Sequence, residues 1–278
     1  MRHIRKAVLS VIVWAMAVLF LSPLYIMIVN SFKNRAQMTL HVLALPPSLD
    51  FQYYSQAMAK MNILTAYGNS LLMTVTSILF LVVFTSMTAW MLVRTRNRIS
   101  SFIFFVFVAT MIIPFQAIMM PLMQVMGFVT NSWHIPMLNT RGGLMFMYVG
   151  FGASMGVFLY HGFIKSVPVS LEEAATLDGC STFGLFWRIV FPLLKSITVT
   201  VIILDIIWIW NDFLLPSLAL SSIGLYTIPL STFKFFGQFT IQWNLAMAGL
   251  ILTILPVIVF YLFAQKYIVK GVAAGAIK

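Results

Sequence analysis

Apolar positions in this chain fall in long runs rather than on alternating faces. The runs cover residues 7–29, 70–93, 102–126, 144–164, 197–215 and 244–264. About twenty apolar residues in a helix cross the roughly 30 Å hydrocarbon core of a bilayer. The pattern therefore predicts six transmembrane helices and an all-α membrane protein. The first run is longer than the apolar core of a secretory signal, and no small-residue cleavage site follows it, so it reads as an uncleaved span. Pro114 lies in the middle of the third run and predicts a kink with a freed carbonyl. Pro256 lies inside the sixth. Gly152 and Gly156 form a small-xxx-small pair in the fourth, which allows close helix contact.

The segments between the runs differ in length and polarity, and the one at residues 216–242 is long and moderately apolar. Residues 31–66 carry Pro46-Pro47 and Tyr53-Tyr54 and predict a surface helix near residues 51–60. Arg94, Arg96 and Arg98 make a compact basic turn. Residues 127–143 and 216–242 read as loops. Composition agrees: 61% of residues are hydrophobic, 8% are charged, and mean hydropathy is +0.99. Such values exclude an ordinary soluble domain.

The net charge of +11 changes the picture only through its distribution. With the N-terminus inside, the inner segments hold twelve of the seventeen Lys and Arg residues and the outer segments five. That asymmetry predicts six spans with both termini cytoplasmic. It also accounts for the basic charge without nucleic acid. Cys180 is alone, so no internal disulfide or cysteine metal site is expected. His3, His41, His134 and His161 are too scattered to suggest a ligand cluster.

Residues 168–192 are the one sizeable stretch that mixes charges of both signs. Ser170 followed by Glu173 has the spacing of a capping box, which predicts a helix start. Ala174, Ala175 and Leu177 continue that helix, and Gly179 is placed to end it. A second short helix is expected from about Thr182. The stretch also resembles the E-A-A loop of bacterial ABC importer permeases, E-A-A-x-x-x-G followed after nine residues by I-x-L-P. Glu173, Ala174, Ala175 and Gly179 occupy the first part, and Ile189, Val190, Phe191 and Pro192 the second, with Phe191 in place of leucine. The resemblance implies a coupling helix that docks on an ATPase subunit. Ser170, Leu171, Glu173, Ala174, Ala175, Asp178 and Gly179 are its candidate contacts.

Further stretches resemble the carbohydrate-uptake branch of that family, in particular the second permease of maltose-type transporters. They are Ser22-Pro23-Leu24 through Ser31-Phe32-Lys33, Pro114-Phe115-Gln116 through Pro121-Leu122, and Trp210-Asn211-Asp212-Phe213 with Pro216. Ala246-Met247-Ala248 through Pro256, and Gln265-Lys266-Tyr267 with Gly271 and Gly275, complete the set. Tyr53-Tyr54 departs from the branch's Asn-Tyr. The resemblance implies the type I importer permease fold. In that reading residues 1–68 form the first helix and an external segment, residues 69–264 a transmembrane type-1 core with a coupling loop at 165–195, and residues 265–278 a cytoplasmic tail. It implies a heterodimer with a second permease, two ATPase subunits, and an extracellular or periplasmic solute-binding protein. The substrate would be a carbohydrate, the setting the lipid of a bacterial cell membrane, and no nucleic acid would be involved. No Gly-Lys pair occurs in the chain, so a P-loop in its usual form is excluded. No cofactor is expected on this chain, and ATP and Mg would sit on the partner ATPase subunits. By resemblance, the tail reaches those subunits. Gly271 and Gly275 argue that a helix beyond Lys270 is not stable alone.

The fifth run carries the candidate pathway residues. Asp205 lies about 12 Å into the helix, near mid-membrane, where a carboxylate should face the bundle interior or a watery cavity. Asp212 is seven residues further on, Trp208 lies between them, and Asn211 flanks the stripe. A carboxylate, an amide and an indole on one face suit a sugar. The competing reading is that these groups only join neighbouring helices. A permease for glycerol phosphate or another small polar solute also fits. So do a proton-coupled carrier with Asp205 and Asp212 as relay, against which the Glu173–Gly179 spacing argues, and a non-transporting scaffold.

Overall fold

The structure, a computed structural model, describes residues 2–237 and 240–276, with side chains over 6–237 and 240–266. The described elements are helical apart from an isolated bridge between Phe236 and Ile241. In order they are α1 (Arg2–Asn30), α2 (Arg35–Leu40), α3 (Gln52–Met61), α4 (Ile63–Thr95), α5 (Arg98–Thr110), α6 (Phe115–Ser132) and α7 (Arg141–Ile164). Then come α8 (Val169–Leu177), α9 (Thr182–Leu185), a π turn (Phe186–Val190), α10 (Phe191–Leu193), α11 (Lys195–Asn211), α12 (Leu214–Ala219), a 3-10 turn (Ile223–Leu225), α13 (Ile228–Thr232), a second 3-10 turn (Phe233–Phe235) and α14 (Trp243–Ala276).

Among the described residues, four helices are long and apolar enough to cross a membrane singly, α1, α4, α7 and α14. The count reaches six if α5 with α6, and the α9–α10 segment with α11, each make one bent span. The third run thus differs from the expected kinked rod. Its two helices meet at 106°, with Pro114 as the extended residue that opens α6, and α6 runs on to Ser132 through part of the expected loop. Proline disfavours the α region for the residue before it as well as clashing with the preceding turn, so the chain breaks rather than bends. The tail follows on from the sixth run. α14 continues to Ala276, past both glycines; residues 277 and 278 lie outside the described residues. A helix already nucleated over many apolar residues need not form that last stretch alone.

The chain divides into two compact units, Met1–Ile63 with Ser231–Ile258, and Leu64–Leu230 with Val259–Lys278. In the first, α1 buries none of its apolar window. The Lys33 ammonium is buried and ties the turn after α1 together, donating to the His41 carbonyl at 2.7 Å and to Asn30 Oδ1 at 3.3 Å. Burial holds its pKa below the ordinary lysine value. The surface helix expected near residue 51 is present as α3, packed through Phe51 and Tyr54 against Phe32.

In the second unit, Leu81, Tyr148, Tyr160, Ile164, Phe186 and Leu194 form the fully buried centre. Gly152 and Gly156 do what their spacing predicts. A Cβ on Gly156 would lie 2.7 Å from Thr85 Oγ1, and one on Gly152 2.7 Å from Leu81 Cδ1, so α7 meets α4 at glycine-only distance.

Candidate functional site

The 165–195 loop folds into two short helices at a sharp turn. α8 starts at Val169, and the residue with extended backbone at its entry is Pro168, which supplies no side-chain cap. The capping box expected from Ser170 and Glu173 does not form. Ser170 sits inside the first turn, with helical backbone rather than the extended backbone a capping serine needs. Proline tolerates this place because a first-turn N–H would be unpaired anyway.

The exit of α8 follows the sequence closely. Gly179 has φ +82°, its N–H bonds the Thr176 carbonyl at 3.0 Å, and the Cys180 N–H bonds the Ala175 carbonyl at 3.0 Å. This is a Schellman closure, which satisfies two carbonyls that the helix end would leave orphaned. No atom lies near the missing Cβ of Gly179, so glycine is needed there for its left-handed backbone and not for space. Ser181 Oγ then accepts the Gly184 N–H at 3.2 Å and starts α9. A π turn precedes Pro192, whose ring would clash with a regular helical carbonyl four residues back. The helical segment 182–193 meets α11 at 78° across the buried Leu194.

α8 has two faces. Ser170, Leu171, Glu173, Ala174, Asp178 and Gly179 are exposed, and Ala175 is half-buried against the core. Leu177 is 90% exposed and Phe183 on α9 is 67% exposed. The inner face carries Glu172, a residue that sequence reasoning passed over. Its carboxylate accepts from Arg94 Nε at 2.9 Å, Arg94 Nη2 at 2.6 Å and Trp90 Nε1 at 3.0 Å. Arg94 Nη2 also donates to the Val167 carbonyl at 3.1 Å. The loop is thereby pinned to the end of α4 by a buried, charge-assisted cluster. A signal lay in the sequence: Val169, Glu172 and Ala175 share one helical face, and adjacent Glu172 and Glu173 point in different directions.

The fifth-run candidates separate. Asp205 and Trp208 line a cavity of about 610 Å³ together with groups from α5, α6 and α7. Asp205 is 4% exposed, and its Oδ2 makes no hydrogen bond among the described residues. Thr110 and Ser154, hydrogen bonded at 2.6 Å, face the same cavity, and Phe115 adds an aromatic wall. The Trp208 ring stands edge-on to Tyr148 at 5.7 Å. Asn211 and Asp212 are not part of this lining. Asn211 Nδ2 donates to the Ile207 carbonyl at 2.7 Å. Asp212 lies just beyond the end of α11, where Oδ1 accepts the Leu214 N–H at 3.0 Å and opens α12. The expected continuous stripe from Asp205 to Asp212 is therefore interrupted, because an aspartate followed by Phe-Leu-Leu-Pro is a helix stop and a new cap.

The long apolar helices and the folded polar loop between α7 and α11 make this a helical membrane protein. Residues 81–274 match the family described as binding-protein-dependent transport system inner membrane component, and the chain belongs to that family. It is 47% identical over 276 residues to the "Probable starch degradation products transport system permease protein AmyC" of Thermoanaerobacterium thermosulfurigenes, covering 99% of this chain and 98% of that protein. It is 32% identical to the melibiose/raffinose/stachyose import permease protein MelC of Bacillus subtilis, over 92% of this chain and 91% of the relative. The multiple sugar-binding transport system permease protein MsmG of Streptococcus mutans is 32% identical over 94% and 93%. The fold matches a crystal structure of a bacterial ABC transporter involved in the import of the acidic polysaccharide alginate, with TM-score 0.81 at 22% identity, over 95% of this chain and 96% of that one. The protein is a multi-pass membrane permease of a binding-protein-dependent ABC system.

Proposed function

We propose that this chain is one of two permeases in an importer for a carbohydrate of oligosaccharide size, driven by ATP hydrolysed on separate subunits. The carrying observation is the two-faced α8: Glu172 locks it to α4 from inside, while Leu171, Glu173, Ala174 and Leu177 are presented outward. An exposed apolar helix face with acidic flanks fits a groove on an ATPase subunit, and the rigid anchor lets a push on α8 reach α4. The second permease covers part of the unburied α1, and an external solute-binding protein delivers the sugar. No cofactor is held by this chain; ATP and Mg reside on the ATPases. The carbohydrate reading is supported by the named cargoes of the relatives. In cells carrying the full set of subunits, uptake of labelled maltooligosaccharide should depend on this chain, and an ATPase subunit should copurify with it. Copurification of a complex with no ATPase would overturn the reading.

Both termini and the Arg94–Arg98 turn are cytoplasmic in this proposal. A membrane-impermeant thiol reagent applied from outside should therefore fail to label a single cysteine placed at Arg96 or Asp178. It should label one placed at Ile223, exposed in the loop after α12. External labelling at Arg96 reverses the orientation.

Asp205 and Trp208 are the pathway groups, the carboxylate accepting sugar hydroxyls and the indole meeting an apolar ring face. Asp205→Asn and Trp208→Ala should each weaken apparent affinity for the sugar about tenfold, with assembly unchanged. Asp212→Ala should lower the yield of assembled complex and leave affinity alone, since its carboxylate caps α12. The opposite pattern would return the site to Asp212.

A further inference from the structure

A second cavity, of about 510 Å³, lies where α4 ends, α5 begins and α7 ends. Its polar lining is Arg94, Arg96, Ser100, Ser101, His161 and Lys165, and none of its lining residues is acidic. Arg94 is already paired with Glu172. Arg96 and Lys165 have no ion-pair partner among the described residues. Ser100 and His161 are more than nine-tenths buried, and the imidazole lies flat on Phe104 with ring centroids 3.7 Å apart. Arg96 is held at φ 45°, an uncommon backbone for a residue that is not glycine. Two unpaired cations, two hydroxyls and a buried imidazole around one space are the kinds of group that hold a phosphate-bearing anion.

Its place in the fold selects the source of that phosphate. Arg94 is in the last turn of α4 and Lys165 follows the final residue of α7, both helices long and apolar enough to cross a membrane, and Arg98 opens α5 between them in the chain. The pocket therefore sits at headgroup depth. The outer edge of α5 beside it is apolar and open, with Ile99, Phe102 and Phe105 each about two-thirds exposed. An acyl chain can lie along that edge while its phosphate enters the pocket, an arrangement a free phosphate cannot use. We propose that this cavity binds the headgroup of an anionic glycerophospholipid, with Arg96 and Lys165 as the charged contacts and Ser100, Ser101 and His161 as hydrogen-bonding contacts. Basic pockets between helices at a membrane face are suited to such lipids.

The test places the assembled complex in phosphatidylcholine nanodiscs containing phosphatidylglycerol and counts retained phosphatidylglycerol by native mass spectrometry. The wild type should retain it in preference to phosphatidylcholine. Arg96→Gln with Lys165→Gln should weaken retention roughly 10- to 30-fold, from two cations at the membrane surface. Arg96→Lys with Lys165→Arg should restore it, and Arg188→Gln, an exposed cation outside the pocket, should not alter it. If the double variant does not assemble, Ser101→Glu takes its place: a carboxylate at the exposed Ser101 should expel the lipid. Undiminished retention in the double variant, or in Ser101→Glu, overturns the proposal. So does displacement of the lipid by inorganic phosphate at a matched concentration, which would make the site one for the free ion.

Discussion

Gly179→Val is expected to lower solute uptake by at least about tenfold while the transmembrane helices remain folded. The native backbone at Gly179 has φ +82°, and two hydrogen bonds across the turn depend on it. A side chain at this φ costs roughly 1–2 kcal/mol in an L-residue, and a β-branched one more. Every 1.4 kcal/mol is a factor of ten in the population of the closed turn. Because nothing surrounds the missing Cβ, the cost is conformational and not steric, which gives a graded series. Gly179→Asn should stay near wild type, since asparagine tolerates left-handed backbone. Gly179→Ala should be intermediate. Uptake and ATPase activity measured together distinguish the outcomes: hydrolysis without transport, or poor recruitment of the ATPase, is expected for the valine variant. Wild-type uptake there would remove the 165–195 loop from the coupling role. A loss that grows with side-chain volume and ignores φ preference would point to a buried contact instead.

Arg94→Ala is expected to have the largest effect on assembly. It strips Glu172, 7% exposed in the intact protein, of its ion pair and leaves it bonded to Trp90. Removing one member of a buried pair costs about 3–5 kcal/mol, a large part of the 5–15 kcal/mol that holds a typical domain. The yield of folded complex, or its thermal midpoint in detergent, should fall accordingly. Glu172→Gln should be milder, because the single amide oxygen can still accept from Arg94, while the amide NH2 then leaves Trp90 Nε1 without its acceptor. The double change Arg94→Met with Glu172→Leu should recover much of the loss, since neither charge is then buried alone. Recovery should be incomplete while Trp90 Nε1 lacks its acceptor, and adding Trp90→Phe should improve it. An Arg94→Ala protein as stable as wild type would mean that the cluster is solvated in the assembled transporter.

The two glutamates of α8 show where sequence reading stops. Glu173 belongs to the motif and stands on the outer surface; Glu172 belongs to no motif and holds the loop in place. Helical periodicity says that the two point apart, but which one faces inward depends on where α4 ends and what it offers. Arg94 lies 78 positions earlier in the chain. The same limit applied to the fifth run. Counting seven residues from Asp205 to Asp212 assumed an unbroken helix, and the local chemistry of Asp212 broke it. The cap at Ser170 failed for a similar local reason, the extended position having gone to Pro168.

The sequence alone determined the membrane class, the positions of the apolar helices, the turn at Gly179 and the family, because each rests on short-range facts: run length, a φ value only glycine favours, and a motif of fixed spacing. It also placed the glycine pair that lets α7 approach α4. Only the tertiary structure decided that the third run breaks through 106° at Pro114, that Asp205 and Trp208 share a cavity while Asp212 caps a helix, and that Arg94 meets Glu172. It alone gathered Arg96, Ser100, His161 and Lys165 around one pocket. These outcomes depend on helices separated in the chain arriving side by side, where packing and the pairing of buried charge select among local options that are nearly equal in energy.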